Sequence, residues 1–407
     1  MERVYYSLVQ EYPKAVVSSQ VIEYLQMLKE KNNLNFNIIF LIRLGAYLKG
    51  FRELKGHRKE ILNSINANVS FFPTARSYGK LSQLIGTFIL FFIFIKHRKK
   101  EKIVLHSRGV FVTLVAIKLK KYFRNIRIVY DIRGDYAAES NYHAENQNAS
   151  EEKIKETALI DLKIQSEIVK SVNHIFCVSN VLKERVIEKY HANADKMDVI
   201  PCLADHQNFF YNSEIREQIR KELGIADKFV FVYPGGIGYW HYTDKVFQLL
   251  KNLMGKWNNL YFIILTNQTE EAKKYASESL KEGTYFIKQA GREEVPNFLM
   301  ASDMGILLRE NHPLNEVAAP TKFAEYIMTG LSVLISDSIG DYSDFVKRNK
   351  LGIVLKNDST EKEQIEKFME FFNSSSNLSR EEISKIGFQN FAKINYAEKM
   401  SKIYSNL

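Results

Sequence analysis

Residues 229–254 read FVFVYPGGIGYWHYTDKVFQLLKNLM: Phe229 to Tyr233 are apolar and aromatic β-formers, Pro234 to Gly238 interrupt them, and Thr243 to Met254 carry apolar residues three and four apart. A strand, a glycine turn and an amphipathic helix in that order predict one β-α unit. The unit recurs downstream, where LYFIILTN precedes EEAKKYASESLKEG, YFIKQAG precedes VPNFLMAS, MGILLRE precedes TKFAEYIMTG, SVLISD precedes DYSDFVKRN and GIVLK precedes the last helices. Upstream it runs from RVYYSLV with SSQVIEYLQMLKEK to HIFCVS with VLKERVIEKYH, closing on MDVIPC. Strands joined through helices run parallel, because each helix carries the chain back to the starting edge of the sheet.

The fold class is therefore α/β, with two Rossmann-like domains in series. The alternation pauses in a polar, Asn-containing stretch from Asp205 to Ile215, which sets expected domains at 1–205 and 216–389, with a C-terminal helix at about 390–407 packing back onto the first. At 407 residues, 45% apolar and 26% charged, the chain is long enough for two buried cores, and disorder or fibrous repeats are excluded. Two cysteines, Cys177 and Cys202, supply neither a disulfide framework nor a zinc site, which fits a reducing cytoplasm. The N-terminus lacks the basic segment and apolar run of a signal peptide. Residues 1–200 hold 32 basic and 20 acidic side chains and carry the whole of the net +10, so the first half is expected to seek an anionic partner. No nucleic-acid-binding module accompanies that charge, and no nucleic acid partner is expected.

Two stretches of the second half concentrate chemistry. Gly235, Gly236 and Gly238 lie between a strand and a helix, where backbone approaches a phosphate; a tight turn needing positive φ is the alternative. In RENHPLNEVAAPTKFAEYIMTG, residues 309–330, Arg309 emerges at the C-terminal end of a buried strand, the edge at which open parallel sheets bind ligands. Pro320 suits the first helical position, which places Thr321 and Lys322 beside free backbone N–H groups and makes an anion the natural partner. Glu325 shares the side of Lys322 and offers a carboxylate to ribose hydroxyls, while Phe323 and Ile327 face the core; an ordinary surface ion pair is the alternative. In the first half, His106 and Arg108 precede Gly109 at one strand end. Asp131, Arg133, Asp135 and Glu139 follow another, where Asp131 and Arg133 read either as site residues or as a structural ion pair.

REEVPNFLMASDMGILLRE at 292–310 and PTKFAEYIMTGLSVLIS at 320–336 resemble the donor-binding region of family-4, retaining, GT-B glycosyltransferases of the bacterial surface-polysaccharide type, with patterns like EVPxxLxxADxGLxL and PxKxxEYxxxGxPVI. YPGGIGYWHY resembles the YxGxLGxW turn of that family, and DIRGDYAAE its DxRGxxxxE stretch. The resemblance covers roughly residues 229–355. It implies two Rossmann-like domains facing each other across a cleft, a nucleotide-diphosphate sugar as donor and a glycan or lipid-linked acceptor; no cofactor or metal is expected, because no DxD-type site stands at a strand end and Arg309, Lys322 and backbone N–H groups can meet the diphosphate charge. By the same resemblance Glu325 holds the donor ribose, with Gly235, Gly236, Gly238 and Thr321 in the donor site. Arg309, Lys322, His106, Asp131 and Arg133 are the catalytic candidates, and Arg108, Asp135 and Glu139 lie on the acceptor side. Two positions depart from the pattern: Val317 stands where many members carry Glu, with Glu316 one residue out of step, and the first basic residue after Gly238, apart from His241, is Lys245. Arg309 and Lys322 are therefore assigned the neutralisation of the diphosphate. A GT-B sugar-nucleotide epimerase and a non-catalytic assembly partner are the rival readings.

LIGTFILFFIFI, Leu84 to Ile95, is expected to fall short of the about 20 residues that span a bilayer and to be a helix buried against the first sheet; partial insertion into an interface is the alternative. Lys96 to Lys102 and Lys118, Lys120, Lys121, Arg124 and Arg127 follow it. Such clusters attract anionic headgroups, so the expected location is cytoplasmic, peripherally attached to the inner face of the cell membrane.

Overall fold

The computed structural model describes residues 2–10, 17–65, 67–97, 101–146, 150–238, 242–375 and 378–407. The chain divides into two compact units, Met1–Pro201 with Tyr396–Leu407, and Cys202–Asn395. The stretch expected to be a linker belongs to the second unit. Ala204 bridges to Ala392, its N–H donating to the Phe391 carbonyl at 3.0 Å, and the Asn212 side chain accepts from the Ile215 N–H at 3.0 Å to cap the helix Ser213–Glu222. The chain re-enters the first unit at Tyr396, somewhat later than expected.

In the first unit β1 (Glu2–Val9), β2 (Phe36–Arg43), β3 (Val69–Thr74), β4 (Glu101–Arg108), β5 (Ile126–Ile132), β6 (His174–Cys177) and β7 (Met197–Val199) form one parallel sheet in the order β3-β2-β1-β4-β5-β6-β7. In the second, β8 (Phe229–Pro234), β9 (Leu260–Leu265), β10 (Tyr285–Lys288), β11 (Met304–Leu307), β12 (Ser332–Ser336) and β13 (Gly352–Leu355) form a parallel sheet in the order β10-β9-β8-β11-β12-β13. Each order reverses once, between β1 and β4 and between β8 and β11. At such a switch the flanking helices leave to opposite faces and open a crevice outside the C-terminal strand ends. The central strands are buried on both faces, which is why their sequences run apolar without alternation.

Asp303, just before β11, fixes the second switch point from below. Its carboxylate accepts from the Val230 N–H at 2.8 Å and from Arg216 and Arg220 at 2.5 and 3.2 Å, while its own N–H donates to the Val230 carbonyl at 2.7 Å. Above it Gly305 has no Cβ because the Tyr326 ring lies directly on that strand, and the Tyr326 hydroxyl donates to the Ile306 carbonyl at 3.1 Å. The helix Thr321–Met328 is thereby seated on the sheet. Phe323, Ala324 and Ile327 are fully buried and Phe323 stacks on Tyr342 at 4.1 Å, each large apolar side chain contributing roughly 1.5–3 kcal/mol.

The expectation for the long apolar run is corrected by the structure. Lys80–Phe94, extended by a tight turn Ile95–His97, buries only Ser82, Gly86, Leu90 and Phe94, one residue in four along one seam. The fully buried element is instead the following helix Val110–Lys120, whose residues from Val110 to Ile117 are all covered. A helix apolar all round is read from composition as buried, and here that reading fits Val110–Lys120 alone.

Candidate functional site

In the second unit the site is built on the C-terminal ends of β8 and β11. Gly235 and Gly238 adopt φ of 143° and 132°, which side chains rarely tolerate. Three side chains fix the turn between them. The Tyr233 hydroxyl donates to the Gly236 carbonyl at 2.7 Å, the Gln268 amide holds the Ile237 N–H at 2.9 Å and carbonyl at 3.2 Å, and the Thr243 hydroxyl holds the Gly238 N–H at 3.0 Å and carbonyl at 3.1 Å. Tyr239, Trp240 and His241 lie outside the described residues.

The burial of Phe323 and Ile327 turns Lys322 and Glu325 to this edge. Lys322 occupies the space that a Cβ on Gly235 would take, and its ammonium lies 4.4 Å from the centre of the Tyr233 ring. Pro320 is the N-cap residue and not the first helical one, so Thr321 opens the helix and Lys322 follows. Burial, reinforced by Arg309, lowers the Lys322 ammonium to about 7 against a partial offset from Glu325. Burial likewise raises the Glu325 carboxyl to about 7, opposed by Arg292 and Lys322. Arg309 is almost wholly buried and held by its backbone, whose N–H donates to the Ser336 hydroxyl at 2.8 Å while that hydroxyl donates to the Arg309 carbonyl at 2.8 Å. Arg292, which sequence reasoning missed, joins the group through its charge interaction with Glu325. The signal was present: Arg292 follows Gly291 just past β10, at the same sheet edge as Arg309. Among the described residues, Arg292, Arg309 and Lys322 thus lie at this edge with the Glu325 carboxyl group, an arrangement suited to an anionic ligand.

The first unit holds a second cluster at the ends of β4 and β5. The Asp131 carboxylate is met by Arg108 and Arg133, each at 3.3 Å, and by His106 Nε2 at 3.5 Å. Burial alone would raise its pKa, but Arg133, His106 and Arg108 more than offset that and hold it well below the usual carboxylate range. Gln20 Oε1 accepts from Arg108 at 2.6 Å and from Arg133 at 3.2 Å. His106 Nδ1 lies 2.7 Å from the hydroxyl of Tyr404, on the C-terminal helix Ala397–Asn406. A recess lined by His106, Asp131, Arg133, Gln20 and Tyr404 adjoins the cluster. Neither Gln20 nor Tyr404 was legible in the sequence, since each comes from a helix far along the chain.

Asp135 is held by other partners. Asp135 Oδ1 accepts from the N–H groups of Ala137 and Ala138 at 3.2 and 3.3 Å, capping the helix Tyr136–Asn146, and Oδ2 faces Lys189 at 3.4 Å and Arg185 at 3.7 Å. Both oxygens are thus engaged in structure. The Glu139 carboxylate folds over Gly134.

Residues 215–389 match the family described as Glycosyl transferases group 1. With two Rossmann-like units and this domain, the chain is a glycosyltransferase of the GT-B fold. HepE of Anabaena in complex with UDP superposes over the whole of both chains at 12% identity and a TM-score of 0.72. A glycosyltransferase from Rickettsia africae covers 100% of this chain and 98% of its own at 15% identity and a TM-score of 0.70. WaaG, a glycosyltransferase involved in lipopolysaccharide biosynthesis, covers 99% of this chain and 100% of its own at 14% identity and a TM-score of 0.66. No curated protein matches the chain at a significant level.

Proposed function

We propose that this glycosyltransferase takes a sugar from a nucleoside-diphosphate sugar and transfers it, with retention at the anomeric carbon, to a lipid-linked or growing glycan during surface-polysaccharide synthesis. The carrying observation is that Lys322 fills the space beside Gly235 and interacts through its charge with Arg309 and Glu325, while Arg292 interacts with Glu325. Breaking the bond between sugar and diphosphate builds negative charge on the leaving oxygen. Cations held by packing in a poorly solvated site stabilise that charge without reorganisation. Arg309 and Lys322 take this role together with backbone N–H groups of the Gly235–Gly238 turn and the start of the Thr321–Met328 helix. Their charge makes a metal unnecessary. Glu325, ionised, accepts from the ribose hydroxyls. His106, Asp131 and Arg133 serve the acceptor and the transferred sugar, with Arg108 holding Asp131.

Retention and the class of acceptor rest on the resemblance of PTKFAEY and DIRGDYAAE to family-4 enzymes. Similar structures support a nucleotide-sugar donor: HepE is described with UDP-glucose, and WaaB as a lipopolysaccharide outer core galactosyltransferase. The enzyme works, in this proposal, at the cytoplasmic face of a membrane to which the basic first unit attaches peripherally. Donor hydrolysis across a panel of sugar nucleotides, followed by NMR of the anomer first released, tests the proposal. Slow hydrolysis of one donor with retained configuration is expected; inversion removes the retaining assignment, and no binding of any nucleoside diphosphate removes the donor site.

A further inference from the structure

The helical run Lys80–His97 presents Leu81, Leu84, Phe88, Phe92 and Ile95 to solvent at 63%, 62%, 65%, 57% and 46% exposure. Their spacing of three, four, four and three places them on one face, opposite the buried Ser82, Gly86, Leu90 and Phe94. Phe88 and Phe92 pack edge to face at 4.7 Å, and Phe91 extends the surface to the exposed Tyr122 at 5.7 Å. Apolar surface this continuous on an exposed helix needs an occupant.

The charge around the stripe says which. Lys80 and Lys96 lie at its two ends, and Lys118, Lys121 and Arg124 flank Tyr122; residues 80–97 and 110–127 contain no carboxylate. Lys120 is excluded, because its ammonium turns inward to the Ser171 carbonyl at 3.1 Å and to Asn173 at 3.2 Å. Aromatic and aliphatic side chains bordered by cations match the depth profile of an anionic bilayer, with hydrocarbon below and headgroups above. The helical run is longer than the apolar stretch expected to fall short of a bilayer, and by length and composition alone its 18 residues are sufficient to cross a membrane. The seam argues against crossing. A Cβ on Gly86 would sit 3.1 Å from Val115 and 3.2 Å from Leu41, so the helix is packed through this seam on β2 and on the helix Val110–Lys120 of its own unit.

We propose that Lys80–His97 lies in the plane of an anionic membrane and inserts Leu81, Leu84, Phe88, Phe92 and Ile95 among the acyl chains, with Lys80, Lys96, Lys118, Lys121 and Arg124 at the headgroups. This deepens the peripheral attachment proposed above and rests on it: insertion is added to electrostatic contact. Salt separates the two contributions, since the Debye length shrinks from about 10 Å at 0.1 M to about 3 Å at 1 M, whereas burial of apolar surface persists.

The test is co-sedimentation of the full chain with vesicles of phosphatidylglycerol and phosphatidylcholine, or of phosphatidylcholine alone, at both salt concentrations. The wild type is compared with Leu84→Ser/Phe88→Ser/Phe92→Ser, and donor hydrolysis reports that the triple variant is folded. Expected are binding to anionic vesicles that partly survives 1 M salt, and a partition at least about ten-fold weaker in the folded variant. In a Phe88→Trp protein, lipids brominated in the acyl chain should quench the fluorescence. Equal binding by both proteins, fully released by salt and without quenching, leaves peripheral attachment standing and removes insertion. No binding by the wild type to either vesicle removes both. A dimer in the absence of lipid that the triple variant abolishes, with no vesicle binding, makes the stripe a contact between copies and also overturns the proposal.

Discussion

Lys322 and Glu325 are both brought to about 7 by burial, from opposite directions, so that near neutrality neither charge is secure before a ligand arrives. A diphosphate favours the ammonium, so binding above pH 7 must return a proton to Lys322, and affinity falls as pH rises. Ribose hydroxyls favour the carboxylate, so binding below pH 7 must remove a proton from Glu325, and affinity falls as pH drops. A nucleotide sugar, whose diphosphate carries no group titrating in this range, should therefore bind best close to pH 7. Calorimetry in buffers of different ionisation enthalpy should show proton uptake on the alkaline side and release on the acid side. Lys322→Gln should flatten the alkaline limb and Glu325→Gln the acid limb, each weakening binding about 10- to 100-fold at the optimum, as expected for a lost charge-assisted hydrogen bond. A wild-type affinity independent of pH from 6 to 8 contradicts both assignments. Arg309→Ala should instead lower kcat more than apparent donor affinity, because the diphosphate charge that Arg309 is proposed to meet grows in the transition state; an unchanged kcat removes it from the mechanism.

Elements were legible wherever periodicity and place in the alternation agreed. PTKFAEYIMTG announced its helix and its two faces, because Phe323 and Ile327 are spaced for a core and Lys322 and Glu325 for the edge. The run at 84–95 did not, because apolar residues on every side of a helix carry no record of which side meets protein; only the packing of Gly86 against Val115 and Leu41 settles the seam. Clusters assembled across the chain were equally hidden: His106 and Asp131 stood out at their strand ends, whereas their neighbours Gln20 and Tyr404 come from helices on either side of the sequence. Asp135 was legible as a polar residue just past a strand, but its part in capping the helix Tyr136–Asn146 was not. The C-terminal helix has a measurable part in the first unit. The Tyr404 hydroxyl is buried and meets His106 Nδ1 at 2.7 Å, so Tyr404→Phe leaves a ring nitrogen without that partner and should cost about 1–3 kcal/mol. Urea unfolding of the two proteins measures it, and a loss below about 0.3 kcal/mol would show that the bond carries no weight.

At the scale of the whole molecule, two sheets with the same reversal of strand order carry different chemistry on their C-terminal edges. The second unit gathers Arg292, Arg309, Lys322 and Glu325, and the first gathers His106, Arg108, Asp131 and Arg133; no residue of one cluster belongs to the other unit. That separation predicts separable losses. Arg133→Met removes a partly exposed cation from the first cluster while Arg108 still faces Asp131 at 3.3 Å, so the buried carboxylate is not abandoned and folding should survive. Donor affinity, which the proposal assigns to the second unit, should stay within about two-fold of wild type, whereas transfer to acceptor should fall by at least about ten-fold, the size expected for one charged contact at a reacting group. Donor hydrolysis by water places the defect further. If Arg133 serves the acceptor, hydrolysis is retained while transfer falls; if it serves the transferred sugar, both fall together. Calorimetry with the nucleoside diphosphate, hydrolysis without acceptor and transfer with acceptor distinguish these outcomes in one preparation. Equal loss of diphosphate affinity and transfer in a variant with wild-type unfolding would mean that Arg133 acts on the nucleotide, and the assignment of donor chemistry to the second unit alone would have to be abandoned.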